Sequence, residues 1–77
     1  MTVDIKDTEV LKRVWEKHHK SVPGVQREFV LAQITLIFQG KMSYDGGLNE
    51  IHRRYGQQTK KVAKKILDEI ISEAAQT

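Results

Sequence analysis

Between Thr59 and Ala74, the apolar residues Val62, Ala63, Ile66, Leu67, Ile70, Ile71 and Ala74 recur at steps of three and four. At about 100° per residue this spacing gathers them into one continuous stripe, which the two-residue alternation of a strand cannot do. The segment is therefore expected to be an amphipathic helix, and its apolar face has to be buried against other elements. At 77 residues the chain has room for one core. It has no cysteine, so neither a disulfide nor a thiolate metal site can supplement that core, a composition that suits a reducing cytoplasm.

The rest of the chain reads in the same way. A first helix is expected after Asp7 or Thr8, either of which can cap free N–H groups. Val10, Leu11, Val14, Trp15 and His18 make its stripe, and Val22-Pro23-Gly24 ends it, because a proline biases the residue before it away from helical geometry. A second helix is expected from about Val25 to Gln39, with Val25, Phe29, Ala32 and Leu36 on one face and Val30, Ile34 and Ile37 on another. A segment apolar around so much of its circumference is expected to be the central, buried element. The β-branched and aromatic run Gln33–Phe38 leaves a strand as the alternative there. Gly40 is a helix stop, and residues 40–47 read as a loop in which Asp45-Gly46-Gly47 makes a tight turn or caps the next helix. Leu48, Ile51, His52 and Tyr55 mark a short third helix, stopped by Gly56 before the fourth starts near Thr59. Trp15, Phe29 and Phe38 fall on apolar stripes and are expected in the core, with Tyr44 in the polar loop. Residues 1–77 thus read as one all-α domain, a small bundle of about four helices.

Charge is concentrated in one place. His52 to Lys65 holds six basic residues (Arg53, Arg54, Lys60, Lys61, Lys64, Lys65) and no acidic one. That leaves seven of the 13 basic residues against all 10 acidic ones, so the +3 of the whole chain comes entirely from this segment. Within the fourth helix the lysines come first, and Asp68, Glu69 and Glu73 follow. The helix macrodipole favours the reverse order by a few tenths to ~1 kcal/mol per well-placed charge. Lys64–Asp68 and Lys65–Glu69 pairs at i, i+4 would offset part of this, about 0.2–0.5 kcal/mol each. A helix start carrying lysines and free N–H groups suits a phosphate. Lysines opposite an apolar stripe are also simply a solvated face in many proteins, and that reading stands beside the first.

Leu48-Asn49-Glu50-Ile51-His52-Arg53-Arg54-Tyr55, then Gly56, then a helix from Thr59, resembles a helix-turn-helix DNA-binding unit. Ile51, Tyr55, Val62 and Ile66 are placed to pack its two helices together. The resemblance implies that the second helix enters the major groove and presents its N-terminal residues to the bases. By position, Gln58, Thr59, Lys60 and Lys64 would face the groove, while Arg53, Arg54 and Lys61 would grip the phosphate backbone. Lys65 completes the basic segment.

Other chemistries find little support. His18 and His19 are adjacent, so on a helix they point about 100° apart and do not share an ion, and no metal or cofactor is expected. There is no G-x-S-x-G, and Asp45-Gly46-Gly47 lacks the flanks of a phosphate or calcium loop. The chain is not expected to be an enzyme. Phe29–Phe38, the most apolar stretch, is too short to cross a bilayer, and the mixed-charge N-terminus does not read as a secretory signal. The expectation is a cytoplasmic regulatory or accessory protein that binds nucleic acid, DNA ahead of RNA, and self-associates as a homodimer. The alternative is a helical module that binds an acidic protein or another copy of itself.

Overall fold

A computed structural model describes residues 5–76, and within them the chain is helical, with no strand. The helices are α1 (Ile5–His18), α2 (Arg27–Phe38), α3 (Tyr44–Tyr55) and α4 (Gln57–Gln76). This is the all-α bundle of four helices that the periodicity called for. The differences lie at the element ends and in which helix is central.

α1 is already helical at Ile5, so Asp7 and Thr8 lie inside it instead of capping it. Two short 3-10 turns, His19–Ser21 and Gly24–Gln26, flank Pro23. Val22 is extended, with φ −101° and ψ 129°, as the following proline requires, and its side chain is fully buried. Arg27 braces this corner: its Nε donates to the carbonyls of His19 (3.0 Å) and Val22 (2.9 Å).

α2 starts at Arg27, two residues later than expected, and remains helical through Gln33–Phe38, which removes the strand alternative. Thr35 is accommodated by donating its hydroxyl to the Leu31 carbonyl at 2.8 Å. The helix ends in a Schellman motif: Gly40 has φ +77°, its N–H donates to the Ile37 carbonyl (3.0 Å), and the Lys41 N–H donates to that of Leu36 (2.9 Å).

The expected loop at 40–47 is shorter than the sequence suggested, because Asp45-Gly46-Gly47 forms the first turn of α3 instead of a tight turn. Ser43 caps that helix, its Oγ accepting from the Gly46 N–H at 3.0 Å. Asp45 sits in the first turn, where the macrodipole favours an acid. Gly47 allows close packing on α2, since a Cβ there would lie 2.3 Å from Ile37 Cδ1 and 2.7 Å from its Cγ1. Tyr44 is consequently a helical residue, not a loop residue.

α4, not α2, is the central element. It packs against each of the other three helices, and among the described residues its buried Thr59, Ala63, Ile66, Leu67 and Ile70 outnumber those of any other helix. The core joins Ala63, Ile66, Leu67 and Ile70 to Val10 and Val14 of α1, Val30 and Ile34 of α2, and Leu48 and Ile51 of α3. α2 buries only Val30, Gln33 and Ile34. Trp15, Phe29 and Phe38 are packed against this core and partly exposed, not enclosed by it. Val25, expected on a helical apolar face, is 92% exposed.

Candidate nucleic-acid interface

α3 and α4 are joined by Gly56 alone, where a helix-turn-helix unit uses three or four residues. Gly56 adopts φ +96° and ψ −177°, a backbone region open essentially to glycine, and its N–H donates to the His52 carbonyl at 2.7 Å. Of the residues expected to pack the two helices together, Ile51 and Ile66 are buried in the core, and Tyr55 and Val62 pack against it.

The joint sets which way each residue of α4 faces. Gln57, Gln58, Lys61, Lys64, Lys65, Asp68 and Ser72 are all exposed and fall within roughly a third of the helix circumference. Lys60 flanks this face and is partly exposed. Thr59 belongs to the opposite side. It is 5% exposed, and its hydroxyl donates to Gln26 Oε1 at 2.8 Å, latching the start of α4 to the turn before α2. The expected groove-facing role for Thr59 is therefore corrected: it shares the buried side with Ala63, Ile66 and Ile70.

The six basic residues differ in what already engages them. Arg53 is held by Glu50 through both carboxylate oxygens, at 2.8 and 2.7 Å. The Arg54 guanidinium lies over the Phe29 ring, 4.6 Å from its centroid, and 5.7 Å from that of Tyr55. This draws it toward α2 and away from the outward face of α4. Lys64 donates to Asp68 Oδ2 at 3.0 Å. Lys60, Lys61 and Lys65 form no ion pair among the described residues.

The acids of α4 are committed elsewhere. Glu73 pairs with Arg13 at 2.6 Å, and Glu69 takes Lys17 at 3.2 Å and His18 at 2.9 Å, all from α1. Glu69 thus pairs across to α1 instead of with Lys65 as expected. The hydrogen bonds from His18 and Lys17 hold its carboxyl below the ordinary glutamate value. Asp68 accepts from the Tyr44 hydroxyl at 2.5 Å as well as from Lys64. Burial pushes its carboxyl up, but the two hydrogen bonds outweigh that and leave it below the usual range. The same contacts raise Tyr44 and Lys64 above theirs, the hydrogen bond with Asp68 foremost in both.

The late acids of α4 therefore have a structural role, fastening α4 to α1 and to the start of α3. Their position needs no ligand to explain it. Of the early lysines, Lys60, Lys61 and Lys65 have no such internal explanation; Lys61 and Lys65 occupy one outward face and Lys60 flanks it. The histidines are separately engaged: His18 with Glu69, and His19 through Nδ1 with the Glu16 carbonyl at 2.9 Å. Among the described residues no three His, Asp or Glu side chains are grouped as a metal site, and no helix is long and apolar enough to cross a membrane.

Sequence reasoning missed a second surface feature. Val25, Glu28, Phe29 and Ala32 from the α2 side meet Arg54 and Tyr55 of α3 around a shallow, open depression of about 370 Å³. Phe29 and Tyr55 meet edge to face there, with ring centroids 5.6 Å apart. The signal was the spacing of Val25, Phe29 and Ala32, which marks a common face but not whether that face is covered. No known family model matches this chain, and no curated protein or solved structure matches it.

Proposed function

We propose that this chain binds nucleic acid, duplex DNA ahead of RNA, through the outward face of the first turns of α4, as a regulatory or accessory protein of the cytoplasm. The observation that carries the reading is the asymmetry of that helix. Asp68, Glu69 and Glu73 are all neutralised from within the fold, whereas Lys60, Lys61 and Lys65 have no carboxylate partner among the described residues. The uncompensated charge is positive and lies beside the start of a 20-residue helix that has no acid in its first turn, where N–H groups without an intrahelical partner also favour phosphate.

In this reading Lys60, Lys61 and Lys65 meet phosphates. Gln57 and Gln58 are the exposed polar residues nearest the helix start, and Gln58 is assigned to a base edge, since its amide both donates and accepts. Lys64 contributes by exchanging Asp68 for a phosphate. Arg53 and Arg54 stay at the margin, engaged with Glu50 and Phe29. An α-helix of about 10–12 Å diameter fits the major groove of B-DNA, about 12 Å wide, but not the deep, narrow major groove of A-form RNA, and this places DNA first. Docking α4 in the groove follows the helix-turn-helix resemblance of the sequence, from which the one-residue joint at Gly56 departs.

A gel shift with random-sequence duplex DNA at low salt tests the reading. The native chain is expected to retard the probe. K60E/K61E/K65E is expected to lose that shift while its helical circular dichroism is unchanged, because the three side chains support nothing inside the fold. Retention of the shift by the triple variant would exclude this face. No shift by the native chain would favour an acidic protein as the partner.

A further inference from the structure

The depression between α2 and α3 has a property that the basic face lacks: it carries one acid and one base that no ion pair joins. Its centre is apolar, made by Val25, Phe29, Ala32 and Tyr55, with Val25 92% exposed. One wall, on α2, carries the carboxylate of Glu28; the other, on α3, carries the guanidinium of Arg54. Glu28 forms no ion pair among the described residues, and Arg54 has aromatic rings as partners but no carboxylate. The two opposite charges face one depression without neutralising each other.

We propose that this surface is a homodimer interface, in which a second copy of the chain docks by two-fold rotation about the Phe29–Ala32 centre. In an isologous contact, residue i of one subunit meets residue j of the other and the reverse holds as well. One acid and one base on opposite walls satisfy that requirement twice: Glu28 meets the partner subunit's Arg54, and Arg54 meets the partner subunit's Glu28. The apolar stripe of each copy covers that of the other and removes Val25 from water. Tyr55, Phe29 and Arg54 are of the residue types that anchor protein interfaces, being large and stiff or planar. The guanidinium is already stacked on Phe29, so little of its freedom is left to lose on docking. A ligand of a single charge would leave either Glu28 or Arg54 facing its like.

Charge exchange provides the test, read by sedimentation equilibrium without nucleic acid. The native chain is expected to self-associate as a dimer. E28R and R54E should each raise the dimer dissociation constant by roughly tenfold or more, because each places like charges opposite one another twice. When these two variants are mixed, every contact again joins opposite charges, so a one-to-one heterodimer should form. V25D, at a site too exposed to affect the fold, should also dissociate the dimer. A native chain that stays monomeric across the accessible concentration range overturns the proposal. So does a dimer indifferent to V25D and E28R, or a mixture that stays monomeric. Because the readout omits nucleic acid, its failure leaves the α4 reading standing, and failure of the gel shift leaves this one standing.

Discussion

Gln33 is buried at 9% exposure, and its Oε1 accepts no hydrogen bond from the described residues. A buried acceptor left unsatisfied costs about 1–3 kcal/mol. Gln33→Met, similar in length and without the orphaned oxygen, is expected to stabilise the fold by about 1 kcal/mol. In a domain this small that corresponds to a rise of about 4–8 °C in Tm, measurable by thermal circular dichroism; an unchanged or lower Tm would contradict it. Gly47 makes the opposite case. Alanine there gains helix propensity of up to about 1 kcal/mol, but its Cβ would collide with Ile37, and such overpacking costs about 1–3 kcal/mol. Gly47→Ala should lower the Tm, and Ile37→Ala, which removes both Cγ1 and Cδ1, should cost less in the Gly47→Ala background than in the native chain.

At the level of elements, the α1–α4 seam is sensitive to pH. Glu69 is held below the ordinary glutamate value by His18 and Lys17. A depressed acid contributes stability above its unfolded value, about 4.3, and loses it as pH falls through the lower folded value. Thermal melts should therefore show the native chain losing its advantage over Glu69→Gln as pH falls below that point, and the two converging in strong acid. Parallel curves would mean that the seam carries no such linkage. The four helices were legible because three- and four-residue spacing has one geometric meaning. Their ends were less so. Ser43 and Gly40 act through caps whose hydrogen bonds depend on φ and ψ, and the glycine-rich Asp45-Gly46-Gly47 favours a turn until Ile37 packs on it. The centrality of α2 was misread because an apolar circumference shows what a helix can bury, not what covers it. The exposed Val25–Phe29–Ala32 stripe is the counterexample.

In the molecule as a whole, the basic segment was visible from charge counting, but the selection within it was not. Arg53, Arg54 and Lys64 differ from Lys60, Lys61 and Lys65 only through tertiary partners: Glu50, Phe29 and Asp68. Thr59 was misplaced because a few residues at a helix start do not fix its rotation; the Gln26 latch and the Ala63–Ile66 side do. The opposed charge order of α4 likewise resolves into two separate facts, acids that hold α1 and the start of α3, and three lysines (Lys60, Lys61 and Lys65) that hold nothing inside the fold. The central claim is that those three lysines neutralise phosphates. Its most direct measurement is duplex-DNA affinity by fluorescence anisotropy over a range of salt, for the native chain and K60A/K61A/K65A. Each neutralised phosphate adds about 0.9 to the slope of log affinity against log salt, so the native slope should be steeper by about 2–3. Equal slopes in the two proteins, or no binding by the native chain at low salt, would contradict the account.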